Sequence, residues 1–198
     1  MSTQQILAFF VFAFVAAITP GPSNVMLTAT GAKLGVPGGI PCLIGVLAGM
    51  GSLIFAVTAG IGGLVVGHPA VLAVIKWVGA AFLLWLAWQI AGSGPGGQGD
   101  GRQPVGFLGA CLFQWINPKS WLAGASAAAT YLHAGPGGAL VQAVAFAALF
   151  MAAALPSGLA WLAFGAAMGR LLRSARAAWI FNAAMGLCLA ASVGLILW

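Results

Sequence analysis

Long apolar runs with almost no charge occupy most of the chain, and this feature limits its fold more than any other. Each run is about 20 to 28 residues long, which is the length that a helix needs to cross a bilayer. Only 4% of the 198 residues are charged, whereas a soluble domain carries about 25%. Seven basic side chains and one acidic side chain cannot cover a water-facing surface. The chain is therefore predicted to be an integral membrane protein.

The pattern inside these runs indicates helices rather than strands. Strands of an outer-membrane barrel alternate apolar and polar residues over about ten positions, and no such alternation is present. Backbone groups in lipid must also be paired internally. We therefore predict an all-α membrane bundle of about six transmembrane helices. The predicted spans cover residues 6–30, 40–66, 69–91, 105–132, 139–168 and 177–198.

These spans are expected to form a single membrane domain over residues 1–198. Its longest link, 92–104, is rich in Gly, contains the only acid, Asp100, and is expected to be a flexible exposed loop. The first span lacks a positively charged start, so it is interpreted as retained rather than as a signal peptide.

Basic residues on alternate links predict the orientation. They are Lys33 in the first link, Arg102 in the third, and Arg170, Arg173 and Arg176 in the fifth. The other two links carry His68 and His133 but no Lys or Arg. The positive-inside rule makes the basic links cytoplasmic and turns both termini outward. Lys76 does not fit this orientation well, because it lies near the start of the third span, which is predicted to be on the outer side. The net charge of +6 is thus interpreted as a topology signal, and no nucleic-acid partner is expected.

No sequence pattern points to catalysis, a cofactor or a metal. The spans contain no grouping of His, Asp and Glu and no GxSxG motif, so an enzyme is not expected. Cys42, Cys111 and Cys188 all fall within apolar runs, where they are expected to be buried small hydrophobes rather than disulfides or metal ligands.

Matching prolines in the two halves of the chain suggest an internal duplication. Pro20 in TPGP matches Pro118 in NPK, and PGG at 37–39 matches PGG at 136–138. The halves are predicted as repeat 1, about 1–91, and repeat 2, about 105–198. Because three spans per half is an odd number, the second repeat would be inverted, as in secondary transporters with interrupted helices. Chance matching of Gly, Ala and Pro is the alternative.

The two proline motifs are expected to interrupt helices 1 and 4, because proline removes a helical hydrogen bond. Both breaks fall about 20 Å along their spans, so they would share one central site. New half-helices would start at about Ser23 and about Ser120. Their unpaired N–H groups and dipoles would attract a carboxylate. Packing kinks without a ligand are the alternative.

The candidate substrate-binding residues flank these two breaks. They are Thr19, Pro20, Gly21, Pro22, Ser23, Asn24, Gln114, Asn117, Pro118 and Lys119. The polar side chains among them could bond either to freed backbone groups or to a substrate. Lys119 has no acid in any span to pair with, so it either faces a cavity and pairs with a substrate carboxylate or lies at an interface. Trp115 and Trp121 could offer ring faces to a substrate ammonium, or they pack against protein or lipid.

Two GxxxG patterns, Gly45-x-x-x-Gly49 and Gly165-x-x-x-Gly169, permit close helix approach. They could pack within the bundle or between protomers, and the sequence does not choose between these alternatives.

Several motifs follow one another in the order of a known family. They are TPGP (19–22), KLG (33–35), GVLAG (45–49), KWVGAAFLLWL (76–86), FQWINPK (113–119) and GRLLRSARAAWIFNAAMG (169–186). In this arrangement the chain resembles the LysE/RhtB superfamily of bacterial amino-acid exporters over essentially its whole length. The resemblance implies a multi-pass protein of the bacterial cytoplasmic membrane that exports an amino acid or a related small metabolite. It further implies proton coupling and alternating access, and it leaves a homodimer open.

Two features depart from the family pattern. No span contains Asp or Glu, although an acidic proton carrier is common in antiporters. The segment after NPK, residues 120–135, is also smaller and richer in Ala than the family pattern. The identity of the substrate and the coupling ion therefore stay open. A channel-like facilitator of a small polar solute is the alternative, but it would need a continuous polar path rather than polar residues clustered at two breaks.

Overall fold

The described residues form a bundle of helices that agrees with the predicted fold class. The structure is a computed structural model that describes residues 2–61, 68–92, 105–132, 138–171 and 174–197, and no strand occurs among them. The α-helices in these ranges are α1 (Thr3–Ile18), α2 (Pro22–Ala56), α3 (Pro69–Ala91), α4 (Phe107–Ile116), α5 (Pro118–Tyr131), α6 (Gly138–Leu171) and α7 (Ala175–Leu197). A wider π-helical turn, Val57–Ile61, continues α2. The prediction of an all-α protein is confirmed.

Length and apolar character make several of these helices able to cross a membrane. Pro22–Ile61, Pro69–Ala91 and Leu140–Leu171 are long enough by themselves. Shorter apolar helices cover Thr3–Ile18, Phe107–Ile116 and Ala175–Ala191. The predicted first and fourth spans contribute such shorter pieces because each of these spans is interrupted.

Both predicted interruptions are present. α1 ends at Ile18 and α2 begins at Pro22. In the fourth span, α4 ends at Ile116 and α5 begins at Pro118, with Asn117 extended between them at φ −85° and ψ 110°. Both new helices start on a proline, whose missing N–H has no helical partner at that position. TPGP and NPK thus divide their helices at the predicted residues.

α2 folds back on itself at Gly35 and consists of two antiparallel arms, residues 22–34 and 36–56. Gly35 has φ 69° and ψ −179°, a backbone conformation that glycine adopts more readily than other residues. Thr30 Oγ1 and Cys42 Sγ are twelve residues apart along the chain but only 3.8 Å apart in space. The first arm corresponds to the second half of the predicted first span, and the second arm corresponds to the predicted second span. The link predicted between the first two spans, residues 31–39, is thus a sharp turn and not a loop, because only Gly35 leaves helical geometry.

α6 runs parallel to the divided first span. Near the start of α6, the ring centroids of Phe146 and Phe9 lie 4.7 Å apart. Near its end, a Cβ placed on Gly169 would meet the carbonyl oxygen of Ala32. α6 therefore follows α1 first and the first arm of α2 afterwards, and it passes the first break on the way.

The same contact brings two basic residues to one end of the bundle. Because Gly169 meets Ala32, their neighbours Arg170 and Lys33 lie at the same end. This agrees with the predicted assignment of the first and fifth links to one side of the membrane. Other residues of the charge prediction, namely Asp100, Arg102, His133 and Arg173, lie outside the described ranges.

Both GxxxG motifs pack inside the chain. A Cβ on Gly45 would meet the carbonyl oxygen of Phe107, and one on Gly49 would meet that of Cys111. The second motif, at 165 and 169, meets carbonyl oxygens of the first arm of α2 in the same way. The glycines therefore join α2 to α4 and to α6.

The cysteines differ in their burial. All three thiols are free, with Cys42 buried, Cys111 half-buried and Cys188 exposed. The prediction of burial is right for Cys42 and wrong for Cys188, which lies next to the exposed Leu187 on an outer face of α7.

Candidate functional site

The two breaks meet in space. Lys119, in the first turn of α5, donates from Nζ to the carbonyl oxygen of Thr19 at 2.5 Å and to that of Pro20 at 3.5 Å. Ser23, in the first turn of α2, donates from Oγ to Oε1 of Gln114 at 3.0 Å. The structure thus brings together two interruptions that lie about a hundred residues apart in sequence.

Gln114 ties the starts of the two half-helices to the end of α4. Its Oε1 accepts hydrogen bonds from Ser23 Oγ and Ser120 Oγ, both at 3.0 Å, and its Nε2 donates to the carbonyl oxygen of Ala110 at 3.2 Å. Asn117 Nδ2 adds a hydrogen bond to Ser23 Oγ at 3.2 Å. Gln114 is fully buried, so this network is a rigid support beneath the junction.

Side chains from elsewhere satisfy the carbonyl groups that the first break frees. Asn24 Nδ2 donates to the carbonyl oxygens of Ala17 and Thr19 at 3.1 and 2.9 Å. Trp161 Nε1, from α6, donates to that of Ile18 at 3.3 Å. The last carbonyls of a helix need such partners when they are buried. Asn24 therefore bonds to freed backbone groups, which is one of the two roles expected for it.

Replacing Asn24 tests this cap. Asn24→Asp keeps the shape of the side chain but removes both N–H donors and turns acceptor oxygens toward the carbonyls. We expect the variant to lose about 1–3 kcal/mol of folding free energy, the usual cost of unpaired buried polar groups, and to unfold at a lower temperature in detergent. Size-exclusion chromatography after heating measures this. An Asn24→Asp variant as stable as the wild type would contradict the assignment.

The amide groups at the start of α5 already have partners within the chain. Asn117 Oδ1 accepts from the backbone N–H of Lys119 at 3.1 Å. The carbonyl oxygen of Asn117 accepts from the N–H groups of Ser120 and Trp121 at 2.9 and 3.3 Å. The prediction of unpaired N–H groups is therefore wrong for α5, because Asn117 acts as an N-cap. At the start of α2, the carbonyl oxygen of Gly21 likewise accepts from the N–H groups of Asn24 and Val25, both at 3.0 Å. The helix dipole and the Lys119 ammonium remain as attractions for an anion.

A cavity lies beside the junction of the two breaks. Its empty volume, including the part open to the surroundings, is about 540 Å³. Its polar wall consists of Ser23, Asn24, Asn117, Lys119, Ser120 and Ser157. Its large apolar side chains are Leu27, Leu43, Val46, Leu47, Met50 and Phe150.

The predicted site residues divide into a cavity group and a supporting group. Gly21, Ser23, Asn24, Asn117 and Lys119 line the cavity. The supporting group, outside the lining, comprises Thr19, Pro20, Pro22, Gln114 and Pro118. Its members contribute the backbone breaks, the carbonyl partners of Lys119 and the buried hydrogen-bond network.

Trp115 and Trp121 pack against each other away from this cavity lining. Their ring centroids lie 6.1 Å apart in an edge-to-face arrangement. Trp121 Nε1 donates to the carbonyl oxygen of Trp115 at 2.7 Å, and Trp115 Nε1 donates to Ser52 Oγ at 3.2 Å. Of the two roles considered for these rings, their surroundings match packing.

The side chain of Lys119 lies across Gly21. A Cβ placed on Gly21 would be 2.9 Å from both Cδ and Nζ of Lys119. Lys119 is half-buried, and no side chain that lines the cavity is acidic. The sequence's only acid, Asp100, lies outside the described ranges. The ammonium therefore bonds to neutral backbone carbonyl oxygens.

Enlarging Gly21 should displace Lys119. Gly21 has an extended backbone that any residue can adopt, so Gly21→Ala acts through contact with the lysine and not through backbone strain. We expect the activity of this site to fall about threefold to tenfold, the equivalent of weakening one hydrogen bond, with normal amounts of protein. Gly106→Ala, where a Cβ would meet no atom within 4 Å, is the matched control. Equal activity of both variants would contradict the proposed contact.

Sequence reasoning missed the contribution of α6 to the wall. Phe150, Ala154 and Ser157 follow one another at helical spacing along the face of α6 that lines the cavity. The available signal was LPSG at 155–158, a proline followed by a polar residue inside an apolar run.

Comparisons with known proteins agree with the motifs. A family model described as LysE type translocator matches residues 14–197. The cysteine/O-acetylserine efflux protein of Salmonella typhimurium is 34% identical over 133 residues, which cover 67% of this chain and 68% of that protein. Proteins with the same description from Klebsiella pneumoniae (33%; 67% of each chain) and Escherichia coli O139:H28 (31%; 67% and 68%) are also similar. No solved structure matches the chain.

Proposed function

The chain belongs to the family of LysE type translocators, and from this premise we propose that it exports a small neutral amino acid by secondary active transport. Family membership makes it a transporter rather than an enzyme. Relatives named as cysteine/O-acetylserine efflux proteins make an amino acid the substrate class. The apolar helices agree with a multi-pass protein of the bacterial inner membrane.

The observation that carries the proposal is a lysine in the wall of a cavity where two helices are interrupted. Lys119 Nζ bonds to the carbonyl oxygens of Thr19 and Pro20. A substrate carboxylate can compete with these neutral acceptors, because it adds Coulomb attraction between opposite charges to the hydrogen bond with the ammonium. The dipoles of α2 and α5, which both begin at the cavity, add to the attraction.

The charge of the cavity favours a substrate without a positive side chain. The wall contains the Lys119 ammonium and no carboxylate, so a second cation would be repelled and would find no ionic partner. The apolar residues opposite accommodate a short side chain. Cysteine and O-acetylserine both satisfy these requirements and are the first substrates to test.

We propose that the two interrupted helices alternate between inward-open and outward-open arrangements around this site. The reciprocal packing of α1 against α6 and of α4 against the second arm of α2 supports an inverted repeat, the architecture of many alternating-access transporters. Lys119 would bond to the substrate carboxylate during passage and return to the carbonyl oxygens after release. As the ionisable side chain among the wall residues, it is also the candidate for coupling export to protons.

In the proposed orientation, the end with Lys33 and Arg170 is cytoplasmic and both termini face outward, following the positive-inside rule. Exposed apolar side chains such as Trp77 and Trp88 on α3 would contact lipid. If the protein forms a homodimer, this face of α3 would contact the partner subunit instead of lipid. Cross-linking in native membranes would detect such a dimer.

Transport into everted membrane vesicles tests the function. Vesicles from overexpressing cells should accumulate labelled cysteine above the external concentration when energised, and vesicles from cells without the protein should not. Collapse of the proton gradient should abolish accumulation while leaving exchange intact. Equilibration without accumulation would instead support the channel-like facilitator. No movement of cysteine or O-acetylserine would refute the proposed substrates.

A further inference from the structure

Ser157 is a buried polar residue whose hydroxyl group is unexplained by the fold. Its side chain is 1% exposed, and its Oγ has no hydrogen-bond partner among the described residues. Hydroxyl groups within helices usually bond to a carbonyl one turn earlier. Thr58 does so, donating to the carbonyl oxygen of Ile54 at 2.7 Å. A buried hydroxyl without such a bond is unfavourable in a folded protein and calls for an external partner.

The position of Ser157 indicates what that partner is. Ser157 lines the same cavity as Lys119. Trp161, one turn further along the same face of α6, bonds to the carbonyl oxygen of Ile18 at the first break. Lys119 bonds to the next carbonyl oxygen, that of Thr19. Ser157 and Lys119 therefore border the cavity close to the level of the first break, from different helices.

The surroundings of Ser157 are apolar, unlike those of Lys119. Its neighbour Gly158 lies against the side chains of Leu43 and Leu27, and Phe150 and Ala154 share its face of α6. A charged ammonium or carboxylate would be poorly stabilised there. A neutral polar atom on a short side chain could instead accept or share the hydroxyl hydrogen bond.

We propose that Ser157 is a specificity-determining residue that binds the polar side-chain atom of the exported amino acid, while Lys119 holds its carboxylate. This inference rests on the proposed function. The Ser157 hydroxyl donates to the ester carbonyl of an O-acetylserine-like substrate or bonds to the thiol of cysteine. An apolar side chain of similar length would leave the hydroxyl without a partner, so the site discriminates against it.

A pair of competing ligands tests the assignment. In proteoliposomes, we compare the concentrations of O-acetylserine and of norleucine that halve the transport of labelled cysteine. Norleucine has a side chain of similar length without the ester group. Labelled cysteine is kept far below its half-saturating concentration, so that a change in its own binding does not affect these values. Ser157→Ala should raise the value for O-acetylserine about twofold to tenfold, as expected for one neutral hydrogen bond, and leave that for norleucine unchanged. Ser157→Thr, which keeps the hydroxyl group, should retain most of the preference.

The outcomes separate this inference from the proposed function. An equal change for both ligands, or no change for either, would overturn the role of Ser157 while cysteine transport by the wild type upheld the function. Absence of wild-type transport of both cysteine and O-acetylserine would overturn both. Ser157→Ala should also unfold no earlier than the wild type in detergent, since no described bond is lost. A marked fall in its unfolding temperature would assign the hydroxyl a structural role and refute the proposal.

Discussion

Lys119→Met should abolish export while the protein still reaches the membrane in normal amounts. Methionine retains most of the apolar chain that lies across Gly21, so the change removes little but the ammonium. A hydrogen bond to a charged group contributes about 1.5–3 kcal/mol, which corresponds to roughly a 10- to 150-fold loss of substrate affinity. Labelled cysteine uptake into everted vesicles, normalised to the amount of protein, measures the effect.

Two further variants make this prediction specific. Arg176→Gln removes one positive charge from the exposed start of α7 and should leave transport unchanged. Lys119→Arg retains the charge but places a larger planar group over Gly21, so we expect partial activity. Normal export by Lys119→Met would eliminate the lysine as the carboxylate partner and with it the main support for the proposed site.

The helix breaks could be predicted from sequence because their cause is local. Pro22 and Pro118 each remove a helical hydrogen bond from an apolar run, and each begins a helix in the structure. The apolar runs likewise give most of the span boundaries. The link between the first two spans was predicted at the right place in the chain, but its length was overestimated. Gly and Pro composition does not distinguish a loop from one residue with a positive φ, here Gly35.

The partners of the breaks could not be predicted because they come from distant parts of the chain. Trp161 bonds to a carbonyl oxygen 143 residues earlier, and no local pattern encodes that contact. Asn117 was recognised as a polar residue beside a break, but its N-cap bond depends on the detailed backbone geometry at one position. Ser157 lies in a span that the sequence did not connect with either break, and it is the packing of α6 that places it in the cavity wall. The substrate-binding roles of Asn117 and Ser157 stay predictions.

Gly165→Ala should strongly reduce the amount of folded protein. Alanine is normally the better helix former by about 1 kcal/mol, so the substitution would stabilise an isolated α6. In the bundle, however, the added Cβ would meet the backbone carbonyl of Thr28, and a backbone atom cannot rotate away as a side chain can. α6 and the first arm of α2 must therefore separate, at a cost of about 1–3 kcal/mol for overpacking.

Gly194→Ala in α7 is the matched control, because a Cβ there would meet no atom within 4 Å. The two variants make the same chemical change in a helix, so their difference isolates the contact with α2. We expect Gly194→Ala to unfold at or above the wild-type temperature in detergent, and Gly165→Ala to unfold well below it with little protein recovered. Because α6 also supplies Trp161 to the first break and Ser157 to the cavity, separation of these helices should impair transport as well. Equal stability of the two variants would show that α6 and α2 are far enough apart at Gly165 to accept a methyl group. The close contact between these helices would then be wrong, and so would the assignment of α6 residues to the cavity wall.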